Sequence, residues 1–599
     1  MASKEELVAA ITDKGAEIRN AKTSGADKDA VKALVGELLA LKSKYQEVTG
    51  EEYVAPGEQG SKDKSKAKKK DAAAGGAAAA GGGADERKAK KAERMAQKEQ
   101  ANQKAKASKS AGGGSERAYH AVIELGEAMG RREQRVWLRA RVHTTRSVGK
   151  GAFLLLRQGL ATVQAILFAG KGGAGITKDA VKYASGISRE SVVDICGTVK
   201  LAPVPVESAT QSLIEVHVEE IHVVSAAMAR LPLLVEDASR PEGEGEEGGA
   251  GGDAAAEGEG EEGGAHVGPR VTASTALDYR WIDLRTPANQ SIFRIQSGVC
   301  QLFRDYLAAR GFVEIHSPKL LGGASEGGSN VFTLDYFGSP ACLAQSPQLY
   351  KQMTAACGGF EKVFEVGPVF RAENSNTHRH LCEFTGLDLE MTIKEHYYEA
   401  LELFGELFVH IFDRINERYA AELAAIGQQY PFEPLKYCRP TLRLSYYEGM
   451  KLLQDAGYDA NPAEDLPTEQ EKALGRIVRE KFGTDFFIMD KYPLAARPFY
   501  TMPCPHDPNL SNSFDIFIRG EEIVSGAQRV HDVDLLIERA KWWQIPLASI
   551  GSYLDAFRHG AEPHAGGGIG LERVVMLFLG LKNIRKTSMF PRDPKRIAP

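Results

Sequence analysis

The spacing of apolar residues changes several times along the chain, and each change marks a different kind of element. Leu7, Ile11 and Ile18 share one helical face, a Gly25–Asp27 turn follows, and Val31, Leu34, Val35, Leu38, Leu39 and Leu41 form a second face. This predicts a helical hairpin over 1–52, with Lys22, Lys28, Lys32, Lys42 and Lys44 outside. Periodicity is lost over 53–117, where SKDKSKAKKK, an Ala/Gly stretch and a lysine-rich helix-forming run offer too little apolar area to fold alone. The period then becomes two. VWLRARVH, AFLLLR, TVQAILF, SVVDICGTV and LIEVHVEEIHVV read as five short strands, with one helix near 176–185. They predict an OB barrel over 118–232. Residues 233–274 form a hinge whose 241–265 stretch is glycine and acid, a disordered insert. From 275 to 599 helical and strand periods mix without a further linker, so the fold class is α+β and multidomain.

Composition narrows the function classes. A chain of 599 residues exceeds one core. Its 75 basic and 80 acidic residues sum to a net charge of -5, which hides a basic block near the N-terminus and an acidic one at 241–262. The basic run, beside a nucleic-acid-binding barrel, would add salt-sensitive attraction to phosphates. Seven cysteines without a Cys-x-x-Cys pair read as reduced thiols. The start, MASKEELVAAITDKG, resembles neither a secretory signal nor a transit peptide, and no apolar run reaches membrane-spanning length. The expectation is a cytoplasmic protein with no membrane segment.

Four segments of the last region carry chemistry. In SIFRIQSGVCQLFRDYLAARGFVEIHSPKLL (291–321), a long amphipathic helix ends near Gly311 and a strand leads to Pro318, a unit suited either to a dimer interface or to interior packing. In EVGPVFRAENSNTHRHLCEFTGLDLE (365–390), a polar loop between two strands lifts Arg371, Glu373, Arg379 and His380 off a sheet, an arrangement suited to an anionic, aromatic ligand; Phe384 just beyond can stack on a purine. In SNSFDIFIRGEEIVSGAQRVHD (511–532), Asp515 and Glu522 flank a Gly520 turn, where two carboxylates could hold Mg²⁺, with Ser525 and Arg529 following. In HAGGGIGLERVVMLFLG (564–580), glycines admit close backbone approach before a helix, and Arg573 sits in the first turn, where the helix dipole disfavours a cation unless an anion is bound.

The order helix–strand–Pro318, Arg371 loop, GLER with Arg573 resembles the three signature motifs of class II aminoacyl-tRNA synthetases. The wording of the second and third is similar to the aspartate-specific branch of the eukaryotic cytoplasm, from about Tyr119 to Pro599 and including the terminal FPRDPKR. The N-terminal hairpin resembles the WHEP domain appended to several eukaryotic synthetases. The resemblance implies an OB anticodon-binding domain joined to an antiparallel-sheet catalytic domain flanked by helices, as a homodimer. It implies that L-aspartate is activated with ATP and Mg²⁺ and transferred to tRNA(Asp).

By resemblance, Arg371 contacts the α-phosphate, Phe384 stacks on adenine, and Glu373, Arg379, His380 and Leu381 complete the ATP loop. Gly570, Leu571, Glu572 and Arg573 form its other side; Asp515 and Glu522 are the metal ligands. Arg371 and Arg573 are the catalytic residues. Lys351, Arg529, Gln348 and Ser525 would bind aspartate along with Arg371, with Ser325 and Glu326 on a closing loop. Two buried cations have no use in an asparagine pocket if uncompensated, so Lys351 carries the expectation of aspartate. Phe153 and Gln164, and less directly Arg157 and Gln158, would meet the anticodon, although alternation alone leaves Phe153 either core or exposed. An asparaginyl or lysyl enzyme, an inactive RNA-binding or scaffold paralogue, and membership of a multi-synthetase complex stay open.

Overall fold

The computed structural model describes residues 117–127, 133–170, 176–242, 270–323, 331–464 and 466–599, with scattered positions between 10 and 45. Two units, Met1–Ser115 and Glu116–Pro599, separate along the chain. The described residues of the first are helical, with Ile11 and Tyr45 buried. Lys14 pairs with Glu17 and Glu37, each at 2.8 Å, so helical stretches on either side of the expected turn touch. The low-complexity segments read at 55–115 and 240–265 lie outside the described residues, Arg240–Glu242 excepted.

In the second unit, β1 (Arg135–Val148), β2 (Gly151–Gln158), β3 (Ala161–Phe168), β4 (Val192–Leu201) and β5 (Ile214–Ser225) close a barrel in the order β1-β2-β3-β5-β4, with α1 (Lys178–Ser185) between β3 and β4. Alternation buries Val136, Leu138, Leu154, Leu156, Val163, Ile195 and Val216 inside. Arg157 departs from its expected role at the anticodon. It is 6% exposed and gives Nη2 to both oxygens of Glu190 at 2.8 and 2.7 Å. Glu190 also accepts from Arg285 of the following region at 2.9 Å, and adopts a φ of 65° to do so. Arg157 is thus buried on a carboxylate of its own domain, and that carboxylate in turn meets Arg285 of the next region.

The remainder forms an eight-stranded sheet. α2 (Pro287–Ala308), capped by Thr286, leads through Gly311 (φ 81°) into β6 (Val313–Glu314). A small sheet of β7 (Leu320–Leu321), β8 (Thr333–Tyr336) and β9 (Ser339–Leu343) precedes α3 (Gln348–Gln352). Next come β10 (Lys362–Phe370), β11 (Glu383–Thr392), α4 (Tyr398–Arg418), β12 (Leu442–Ser445), α5 (Thr468–Phe482) and β13 (Phe486–Asp490). The chain closes with the pair β14 (Pro503–Cys504) and β15 (Asp507–Ser511), then β16 (Ser513–Ile518), β17 (Glu521–Gln528), β18 (His564–Gly570) and α6 (Leu571–Phe578). The order is β12-β13-β16-β17-β18-β11-β10-β6, antiparallel apart from β6–β10 and β12–β13. Phe303, Phe404, Phe408, Leu387, Leu389, Ile569 and Val575 share one core under the sheet. Asp388 and Glu390 alternate with Leu387 and Leu389 on β11, so they point to the opposite face.

Glu190→Gln should destabilise this unit by about 3–5 kcal/mol, because Arg157 then lies buried on a neutral amide. Urea unfolding followed by Trp137 fluorescence measures it, and an unchanged midpoint would refute the pairing as a strut.

Candidate active site

That opposite face opens into a cleft of about 330 Å³ lined by β10, β11, β17, β18 and the start of α6. Its floor is a lattice of four buried charges. Lys351 Nζ donates to Asp388 Oδ1 at 2.8 Å and to the Gly567 carbonyl at 3.0 Å, and lies 3.7 Å from Glu390 Oε2. Arg529 gives Nε and Nη2 to Glu390 at 2.9 and 3.2 Å. The glycines of β18 make the room. A Cβ on Gly566 would stand 2.2 Å from the Leu389 carbonyl and 2.3 Å from Glu390 Oε2, and one on Gly568 3.0 Å from Asp388 Oδ1. Burial raises the Asp388 carboxyl above its usual range, with Lys351 offsetting only part. Burial works the same way on Glu390, but Arg529 and Lys351 outweigh it and hold that carboxyl below the usual range.

This floor corrects the argument for Lys351. The two cations are compensated by two carboxylates, so their burial no longer excludes a neutral substrate side chain. Lys351 does not line the cleft; Asp388 and Arg529 do. Arg529 Nη1 has no partner among the described residues. Gln348 lines the same end, and its Nε2 is buried and unpaired among the described residues. Asp388 and Glu390 were missed from the sequence, although two acids at period two on a strand whose other face is Leu387, Leu389 and Met391 are a legible signal.

The other end gathers arginines. Arg371 lies over the Phe384 ring, 5.5 Å to its centre, and 3.9 Å from Glu373. Arg573 donates Nη1 to the Glu522 carbonyl at 3.0 Å. His380 is held by the Thr377 hydroxyl at 2.6 Å; burial, then Arg573 and Arg379, lower its pKa. Leu381 and Gly570 line the cleft. Leu571, expected beside ATP, is the first helical residue, lies in the core and is not among the residues lining the cleft. Glu572 faces the cleft, and both its oxygens accept from the Thr385 amide, at 3.1 and 3.0 Å, which fixes the strand behind Phe384. Ser325 and Glu326 lie outside the described residues.

The Asp515–Glu522 pair differs from its expected geometry. Across β16–β17 Glu522 pairs with Phe517, and a bulge beyond that pair sets Asp515 opposite Ser525. Arg497, unremarked in the sequence, takes both Asp515 oxygens at 3.0 and 2.6 Å and donates to Ser525 Oγ at 3.0 Å. Glu522 lines the cleft, and Asp515 does not. Burial, then the Asp515 charge, push the Glu522 carboxyl up, a situation that a divalent cation would relieve. No group of three His, Cys, Asp or Glu side chains able to hold a metal occurs among the described residues. A cation here would therefore depend on ligand phosphates.

On the barrel, Phe153 is half-buried, edge-on to the exposed Phe168 at 5.6 Å and beneath Arg146 at 4.9 Å. Gln164 donates to Glu215 at 3.2 Å, a carboxylate the sequence reading passed over. Gln158 is exposed, but its side chain accepts from the Val122 amide at 2.8 Å and donates to the Arg139 carbonyl at 3.2 Å, so it secures the chain entering the barrel.

The cleft thus joins a glycine-lined sheet face to arginines at one end and a charged pocket at the other, an arrangement that can take an anionic ligand beside a charged one. Residues 272–594 match the family "tRNA synthetases class II (D, K and N)", residues 136–224 an OB-fold nucleic acid binding domain, and residues 7–59 a WHEP-TRS domain. The chain belongs to this class II family. It is 54% identical over 464 residues to the human cytoplasmic aspartate–tRNA ligase, covering 78% of this chain and 88% of that one. The Entamoeba histolytica aspartyl tRNA synthetase structure aligns with a TM-score of 0.71 at 46% identity, over 80% of this chain and 93% of that one. An asparaginyl-tRNA synthetase from Pyrococcus horikoshii, complexed with asparaginyl-adenylate, aligns at 0.66 and 30%, over 81% and 100%.

Burial raises the Glu572 carboxyl to about 7. The folded state thus keeps a proton that the unfolded chain releases from about pH 4.5 upward, and stability falls as pH rises from there to about 7. Glu572→Gln should flatten this part of the slope in urea midpoints taken from pH 5 to 8; an identical slope would place the effect elsewhere.

Proposed function

We propose that this chain is an aspartate–tRNA ligase that forms aspartyl-adenylate in the cleft and passes aspartate to the 3′ end of tRNA. The observation that carries the reading of an amino-acid end is the floor lattice, which holds Arg529 at a fixed place with Nη1 unpartnered among the described residues. The particular amino acid rests on the relatives' names, since a compensated floor would also tolerate asparagine. The same names place the protein in the cytoplasm, and no described helix is long and apolar enough to cross a membrane.

ATP binds with adenine against Phe384 and its phosphates toward Arg371, Arg379 and Arg573. Aspartate lies at the Gln348–Arg529 end. Its α-carboxylate attacks the α-phosphorus in line, and pyrophosphate leaves. Arg371, beside Phe384 at the nucleotide end, would stabilise the charge that develops on the phosphoryl oxygens. The terminal ribose hydroxyl of tRNA then attacks the adenylate carbonyl and AMP departs. No side chain becomes a covalent nucleophile, so positioning and electrostatics supply the rate. Mg²⁺, when bound with ATP, would lie at Glu522 and screen phosphate charge; Asp515 could join only if Arg497 released it. At the barrel, Phe153 and Gln164, with Phe168 and Glu215 beside them, form the face for anticodon bases. Pairing through the Pro318 segment is supported by apolar side chains left open around it, Val313, Leu320 and Tyr336 among them, with Phe337 94% exposed.

Pyrophosphate exchange should proceed with aspartate and not with asparagine or lysine; exchange driven by asparagine alone would overturn the assignment. Arg573→Ala should lower aspartate-dependent exchange about 10²–10³-fold while leaving the fold intact, as loss of one preorganised charge donor does. Unchanged exchange would remove Arg573 from the site.

A further inference from the structure

Helix α5 lies outside all three signature segments, yet it reaches the phosphate end of the cleft. Arg379 lines that end. Its Nη2 donates to the Thr468 hydroxyl, and its Nη1 lies 3.5 Å from Glu471 Oε2. Both partners sit in the first turn of α5. A guanidinium brought to a helix N-terminus meets the positive end of the helix dipole and would be driven off without a carboxylate beside it. Glu471 supplies that carboxylate. Its side chain is 13% exposed and does not line the cleft, so it meets Arg379 from behind rather than a ligand directly.

The helix is also held in register with the site. A Cβ on Gly475 would stand 2.4 Å from the Gly520 Cα, and one on Gly520 2.8 Å from the Glu471 carbonyl. Gly520 turns the β16–β17 hairpin with a φ of 76°, so backbone meets backbone between α5 and the hairpin bearing Asp515 and Glu522. The close contact needs glycine on both sides. It fixes Glu471 relative to the hairpin with no side chain between them to give way. An acid at this point does little for the fold alone: burial, followed by the charges of Glu522 and Asp515, raises its carboxyl to about 7, against the pull of Arg379.

We propose that Glu471, seated by the Gly475–Gly520 contact and assisted by Thr468, is a positioning residue for ATP: it aims the Arg379 guanidinium at the triphosphate. This rests on the reading of the cleft as an ATP site. Glu471 therefore serves the adenylation step, in which the triphosphate is gripped and pyrophosphate leaves. Transfer from adenylate to tRNA involves no triphosphate and does not need it.

The test measures both half-reactions on the full-length protein and on Glu471→Ala and Glu471→Gln. The alanine variant should raise the KM for ATP in aspartate-dependent exchange about tenfold, as loss of a charge-assisted contact does. Its KM for aspartate should stay within twofold of wild type. The glutamine variant, which keeps an acceptor oxygen, should fall between. Single-turnover transfer from preformed aspartyl-adenylate to tRNA should run at the wild-type rate in all three. A folded variant with wild-type KM for ATP, or equal slowing of both half-reactions, would overturn the proposal. Absence of aspartate-dependent exchange from the wild-type protein itself would instead refute the underlying function.

Discussion

Four charges buried against one another under the cleft, Lys351, Asp388, Glu390 and Arg529, set the terms for the catalytic region. Removing any one strands its partner in low dielectric at a cost of several kcal/mol, so the four stand or fall together. Their carboxylates occupy space that side chains of β18 would otherwise fill, as the distances at Gly566 and Gly568 require. The glycine run of HAGGGIG thus has two physical demands on it. It lets a ligand approach the backbone, and it gives Asp388 and Glu390 room on the sheet. The apolar face of β11 packs on the helices, while its polar face holds the lattice, so one strand joins the core to the site.

The nucleotide end follows a different rule. Its arginines come from loops and helix starts and are steadied by partners drawn from distant parts of the chain. Arg371 lies over Phe384, Arg573 leans on the Glu522 carbonyl, and Arg379 on α5. The directions of these guanidiniums are set by their neighbours, in contrast to the mutually paired floor at the other end. A pocket with one preset wall and one adjustable wall suits a reaction whose two substrates differ in size and charge.

The electrostatics also show where residue type alone misleads. Arg157 and Arg529 both look like free cations in the sequence, and both lie on carboxylates. One holds a carboxylate that Arg285 of the next region also grips, and the other is forked onto Glu390 beneath the cleft. Asp515 looks like a metal ligand and is gripped by Arg497. In each case the partner lies 18 residues away or more, beyond the reach of any local pattern.

By itself, the chain's sequence determined the element types, the barrel and its helix, the long helix before Pro318, and the reaction class carried by Arg371, Phe384 and Arg573. Those features rest on local periodicity, turn residues and short motifs, which are properties of neighbouring residues. Tertiary structure alone decided which charges are compensated and which face the cleft. It paired Lys351 with Asp388 across helix and strand, sent Leu571 into the core, placed Arg497 on Asp515, and brought Glu471 beside Arg379 on a helix seated by a glycine contact. Charge pairing is fixed by distances through space and by burial, and neither is written in the order of residues along the chain.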